Sequence, residues 1–113
     1  MTAEEADAIK ETFGVEPEAY QDGGNECIVL PVLRLPTGCK PPEAMAIFVR
    51  GPVGGYQSRL FFEVPITLSN GSLPTIHSQM MLGREMHAAS IQGIPPTLPP
   101  HQAILAHLQQ YKK

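Results

Sequence analysis

LPVLRLPTGCKPPEAMAIFVRGPVGGYQSRLFFEVPI, residues Leu30 to Ile66, strings together three short apolar segments. Pro/Gly turns separate them, Gly55-Tyr56 closes the last turn, and the third segment ends in Val64-Pro65-Ile66. Short apolar runs punctuated in this way predict an antiparallel meander. In Ala44 to Arg50, Met45, Ile47 and Val49 alternate with Ala44, Ala46 and Phe48. A strand that is apolar on both sides is central and covered twice.

On the N-terminal side of this stretch, residues 2–13 predict a helix. Thr2 and Glu5 have capping-box spacing, Ala6, Ile9 and Phe13 form one apolar stripe, and Gly14 is a natural stop. Asp7, Lys10 and Glu11 fall on its polar side. Val15 to Tyr20 reads as a short strand that Pro17 confines to an edge. Asp22-Gly23-Gly24-Asn25 is a hairpin turn, and Cys27 to Leu35 is the strand after it.

Beyond Ile66 the pattern weakens. Ile76 to Ser90 is ambiguous: Met80, Met81, Leu82 and Met86 can line one or two helical turns, and Met80, Met81 and Met86 read as core filling, with an adaptable surface as the alternative. Ile94-Pro-Pro-Thr-Leu-Pro-Pro100 predicts a stiff connector, or a ligand for an aromatic groove. A last helix begins near Pro100, with Ile104, Leu105, Leu108 and Tyr111 as its docking stripe. The expected fold is α+β: an N-terminal helix, an antiparallel β-meander of about four strands, an irregular segment and a C-terminal helix.

The 113 residues suit a single domain, 1–113, and 42% hydrophobic residues suffice for a packed core. A net charge of −3 and no basic run beyond Lys112-Lys113 argue against nucleic-acid binding. Neither a long apolar span nor an apolar leader is visible, so no membrane role is expected. Cys27 and Cys39 are too few for a disulfide scaffold. The expectation is a reduced, cytoplasmic protein.

The order of elements, with Leu35-Pro36-Thr37-Gly38, Ala46-Ile47-Phe48-Val49, Gly55-Tyr56 and Leu60 to Ile66, resembles the ubiquitin-conjugating (UBC) superfamily, especially its divergent bacterial branches. The resemblance spans residues 2–66, more weakly the last helix, and lacks the usual proline after the loop tyrosine, where Gln57 stands. It implies a UBC-like fold. The family carries its modifier on a cysteine placed after the fourth strand and a His-Pro-Asn element. Thr67 to Ser90 has neither. The resemblance therefore implies a non-catalytic, pseudoenzyme-like interaction component of a ubiquitin-like conjugation pathway. Its implied partners are a ubiquitin-like modifier, an activating-enzyme-like adenylating protein or an active conjugating homologue. The family's docking surfaces carry over to Asp7, Lys10 and Glu11 on the first helix and to Pro52, Val53 and Tyr56 in the loop. Tyr56 could instead pack that loop onto the sheet.

Two alternatives stand beside it. One is a divergent conjugating enzyme with a relocated or mutated nucleophilic cysteine, for which Cys39 and His87 are the weak catalytic candidates. The competing role for Cys39 is a thiol tucked under its turn, and Cys27 reads as core. Ser78 beside His77, or Ser90 near His87, would need a further base partner. The other alternative is a small metal- or ligand-binding domain. His77, His87, His101 and His107 are spaced by 10, 14 and 6, without HExxH, so no metal site is predicted. No cofactor is implied, and Gly51 to Gly55 lacks the ending of a phosphate loop.

Overall fold

The computed structural model describes residues 1–112. Helix α1 (Ala3–Phe13) begins on the expected capping box. Thr2 Oγ1 accepts the Glu5 N–H at 3.0 Å and Glu5 Oε1 accepts the Thr2 N–H at 2.9 Å. Strands β1 (Glu18–Asp22), β2 (Asn25–Arg34), β3 (Glu43–Val53), β4 (Tyr56–Phe62), β5 (Ile76–Met81) and β6 (Arg84–Ala89) follow, then helix α2 (Pro100–Gln109). The strands form one sheet in the order β1-β2-β3-β4-β6-β5, antiparallel throughout.

This overturns the expected UBC-like arrangement of about four strands and an irregular segment. Residues 76–89 form a hairpin, and the sheet has six strands. Helical turns built on Met80, Met81, Leu82 and Met86 do not exist. The alternation was masked because both faces of this hairpin carry apolar side chains, and its turn is Leu82-Gly83 rather than an Asn-Gly or Gly-Gly pair. The glycine-rich loop also contracts. Strand β3 runs on to Val53, β4 starts at Tyr56, and only Gly54-Gly55 lies between them.

Three hairpins close on two-residue turns with positive φ at both positions: Gly23-Gly24 (60° and 86°), Gly54-Gly55 (57° and 86°) and Leu82-Gly83 (50° and 80°). That geometry matches the right-handed twist of the flanking strands, and glycine adopts it freely. Leu82 does not, because its Cβ crowds the carbonyl in the left-handed region.

The two faces of the sheet are buried by different means. On one face Ile28, Leu30, Ala46, Phe48, Leu60 and Phe62 pack against Ile9 of α1 and Ala103, Ile104 and Leu108 of α2. Tyr111 meets Phe62 edge-on, with ring centroids 5.6 Å apart. Both helices lie on this face, as the amphipathic stripes require. The second face carries Cys27, Ile47, Val49, Phe61, Met81, Met86 and Ala88, all buried with no helix among the described residues over them. Here the sheet covers itself. The tip of the β5–β6 hairpin reaches across to β1, where Asp22 Oδ2 accepts the Leu82 N–H at 3.1 Å. Register shifts between Leu30 and Leu33 in β2 and between Arg50 and Val53 in β3 interrupt the ladders, and such irregularities bend strands and increase their twist.

Leu82→Asn tests the cost of that turn. Asparagine tolerates the left-handed region, so the variant gains about 1 kcal/mol in unfolding free energy, read from urea melts. A loss of stability would mean that the contacts of the Leu82 side chain outweigh its backbone strain.

Candidate functional site

The curl leaves an opening between β1 and the β5–β6 tip. Glu18↔Val29↔Ile47 and Tyr20↔Cys27↔Val49 are cross-strand rows, so all six side chains share the second face. Val29, Ile47 and the neighbouring Met45 form the floor of an open groove of about 310 Å³. Glu18 and Tyr20 stand along one side, Leu82 and Arg84 along the other. Tyr20 Oη donates to Glu18 Oε2 at 2.6 Å, which fixes the carboxylate beside the ring and raises the phenol's pKa through that bond and the adjacent charge. Arg84 Nη2 lies 3.7 Å from Glu63 Oε1. Tyr20 and Leu82 remain 46% and 38% exposed, an apolar surface that no element among the described residues covers. The strained turn is what carries Leu82 to this rim.

A polar seam lies at the other end of β4. Strand β6 pairs with β4 only at Phe61↔Ala88 and Phe62↔His87, then departs. Arg59, 5% exposed, fills the gap. Its Nη2 donates to the carbonyls of Ala89 (3.1 Å) and Ala88 (3.4 Å), and its guanidinium lies 4.1 Å from the Tyr56 ring centroid. Tyr56 in turn hydrogen-bonds Ser90 through its hydroxyl. Among the described residues no carboxylate pairs with Arg59, and burial lowers its pKa. Next to it, His107 Nε2 lies 3.0 Å from Ser58 Oγ. Burial first, and the Arg59 charge second, bring the His107 pKa down to about 4, so at neutral pH the ring is uncharged. The seam is enclosed and bonded to the fold. It braces β6 and α2 against β4.

The candidate residues read from the sequence do not converge. Asp7, Lys10 and Glu11 are exposed on α1, on the helical side, and Lys10 Nζ sits 3.2 Å from Glu16 Oε2. Val53 packs toward the second-face core, Pro52 is exposed, and Tyr56 is buried in the seam. The two expected docking surfaces thus lie on opposite sides of the sheet. Cys39 is 4% exposed with its Sγ 3.3 Å from the Tyr111 carbonyl oxygen, and burial raises its thiol pKa. Cys27 belongs to the second-face core, as its alternation implied.

The Ser/His partners are redistributed. His77 faces the Tyr56 ring, Ser90 bonds Tyr56, and Ser78 bonds His87, Oγ to Nδ1, at 2.8 Å. His87 Nε2 lies 3.7 Å from Glu85 Oε1. That is too long to orient the imidazole as in a catalytic triad, and Ser78 stands exposed on an edge strand. His107 is buried in the core. Among the described residues no group of three or more His, Cys, Asp or Glu is placed to hold a metal. No helix among them is long and apolar enough to cross a membrane.

Glu18, Tyr20 and Arg84 escaped the sequence reading. The signal for the first two was their i, i+2 spacing on one strand face. For Arg84 there was none without the hairpin. Comparison with protein families, with curated proteins and with solved structures finds no match.

Two measurements check these environments. The folded protein leaves both thiols unreactive toward Ellman's reagent, and guanidinium exposes both. For His107 the folded pKa lies below the unfolded value of 6.5, so the unfolded chain binds the extra proton first. The stability it supports is complete above pH 6.5 and falls, by on the order of 3 kcal/mol, as pH drops to about 4. His107→Gln removes that component of the acid slope in urea melts compared across this range.

Proposed function

We propose that this chain is a binding module that takes an apolar side chain from an extended segment of a partner protein into the groove between β1 and the β5–β6 tip. One observation carries the reading. An apolar floor of half-buried Val29 and Met45, laid over the buried Ile47, lies between walls of opposite charge, Glu18 and Arg84. Openings of this kind at the mouth of a curled sheet suit an apolar body whose polar ends are fixed by a few groups. The charges select a segment with an apolar residue flanked by a cation toward Glu18 and an anion toward Arg84. Methionine on the floor adapts its shape to more than one side chain.

The motif resemblance supplies the first partners to try: a ubiquitin-like modifier, an adenylating protein of the activating-enzyme type and a conjugating homologue. They rest on those motifs, not on the architecture of the sheet. A thioester relay through Cys39 gains nothing from its surroundings, because a buried thiol with a raised pKa is a poor nucleophile.

Peptides selected from a displayed random library test the reading, with these partners as further arms. Selected peptides carry a large apolar residue between opposite charges. They lose about tenfold in affinity for Met45→Lys, equivalent to about 1.4 kcal/mol, and Arg84→Glu reverses the charge preference on its side. Peptides or partners that bind Met45→Lys as tightly as the wild type would overturn it.

A further inference from the structure

The sheet ends on two unlike edges. Strand β1 carries Glu18 and Asp22 and follows Pro17, devices that discourage strand-to-strand association. Strand β5, Ile-His-Ser-Gln-Met-Met, has no acidic or basic residue apart from His77 and no proline. Its central residues are exposed, Met80 by 64%.

The backbone of this edge has a definite polarity. Ser90 N–H donates to Thr75 O at 3.0 Å. With Ile76↔Ala89 through Met81↔Arg84 in register, antiparallel alternation turns the N–H and C=O groups of His77, Gln79 and Met81 toward β6. Those of Ile76, Ser78 and Met80 therefore point outward from the sheet.

We infer that β5 is a self-association edge, and that two copies pair there antiparallel about a two-fold axis at Ser78. The partner is a second copy because the edge complements itself. A two-fold perpendicular to the sheet keeps each face on its own side, so paired residues must share a face. The outward groups of Ile76, Ser78 and Met80 all find partners in one register: Ile76 of each copy opposite Met80 of the other, and Ser78 opposite Ser78. That register forms a ladder of about six N–H···O bonds. It sets an apolar pair at each end and brings no like-charged carboxylates or ammonium groups together. The same operation on β1 would oppose acidic side chains across the axis, which is unfavourable. The result is a continuous sheet through both copies, with an isologous interface.

Sedimentation velocity from micromolar to millimolar protein tests this. The wild type moves from the 12.3 kDa of one chain to twice that mass and stops there. Met80→Lys raises the dissociation constant at least about tenfold, since a lysine on an edge opposes strand addition, whereas Gln21→Lys on β1 leaves it unchanged. Amide exchange provides a readout on the unaltered chain. The Ile76, Ser78 and Met80 amides gain protection with concentration, while those of His77 and Gln79 are protected at every concentration. A wild type that keeps the mass of one chain throughout overturns the inference. So does a dimer indifferent to Met80→Lys, or concentration-dependent protection on β1 instead of β5.

Discussion

A sheet that is apolar on both faces, with helices enough for one, must hide the other face by itself. That constraint governs the rest of this fold. Ile47, Val49, Phe61, Met81 and Met86 are buried on the uncovered side, and each such side chain stabilises by about 1.5–3 kcal/mol relative to exposure. Leaving them in water would cost more than a domain of this size has in reserve. The sheet therefore curls, with the hairpin tip meeting β1 through Asp22 and Leu82. The open groove is where that curl stops short.

The same constraint accounts for the one turn that breaks the local rule. Gly23-Gly24 and Gly54-Gly55 need only to reverse the chain. The third tip must also cross the concave face and leave an apolar side chain there. Leucine meets that demand at the expense of its backbone conformation.

How far the sequence could be read follows from this division of labour. Local signals held: the Thr2/Glu5 box, the Gly14 stop and the alternation of Ala44 to Arg50 all correspond to the elements they predict. Signals that depend on distant partners did not. The stretch holding Met80, Met81 and Met86 stays ambiguous in sequence because nothing nearby reveals that one face of their hairpin packs under β3 and β4. The turn at Leu82-Gly83 lacks the residues by which such turns are recognised. His107 and Arg59 are hydrophilic letters buried in the fold, and their sequence neighbours do not announce it. The groove residues come from β1, β2, β3 and the last hairpin tip, so no contiguous motif could have carried them.

The slender join between β4 and β6 has its own consequence. Two register pairs and the Arg59 bonds to Ala88 and Ala89 connect the last hairpin to the meander, whereas β5 and β6 are paired along their whole length. Side chains make up the difference: Met81, Met86 and Ala88 pack with Ile47, Val49 and Phe61, and Asp22 holds the Leu82 N–H at the tip. Swinging the hairpin away would bare that apolar face, so it opens only together with the rest of the fold, as one cooperative unit. Amide exchange in the concave core is then set by the free energy of unfolding the whole chain.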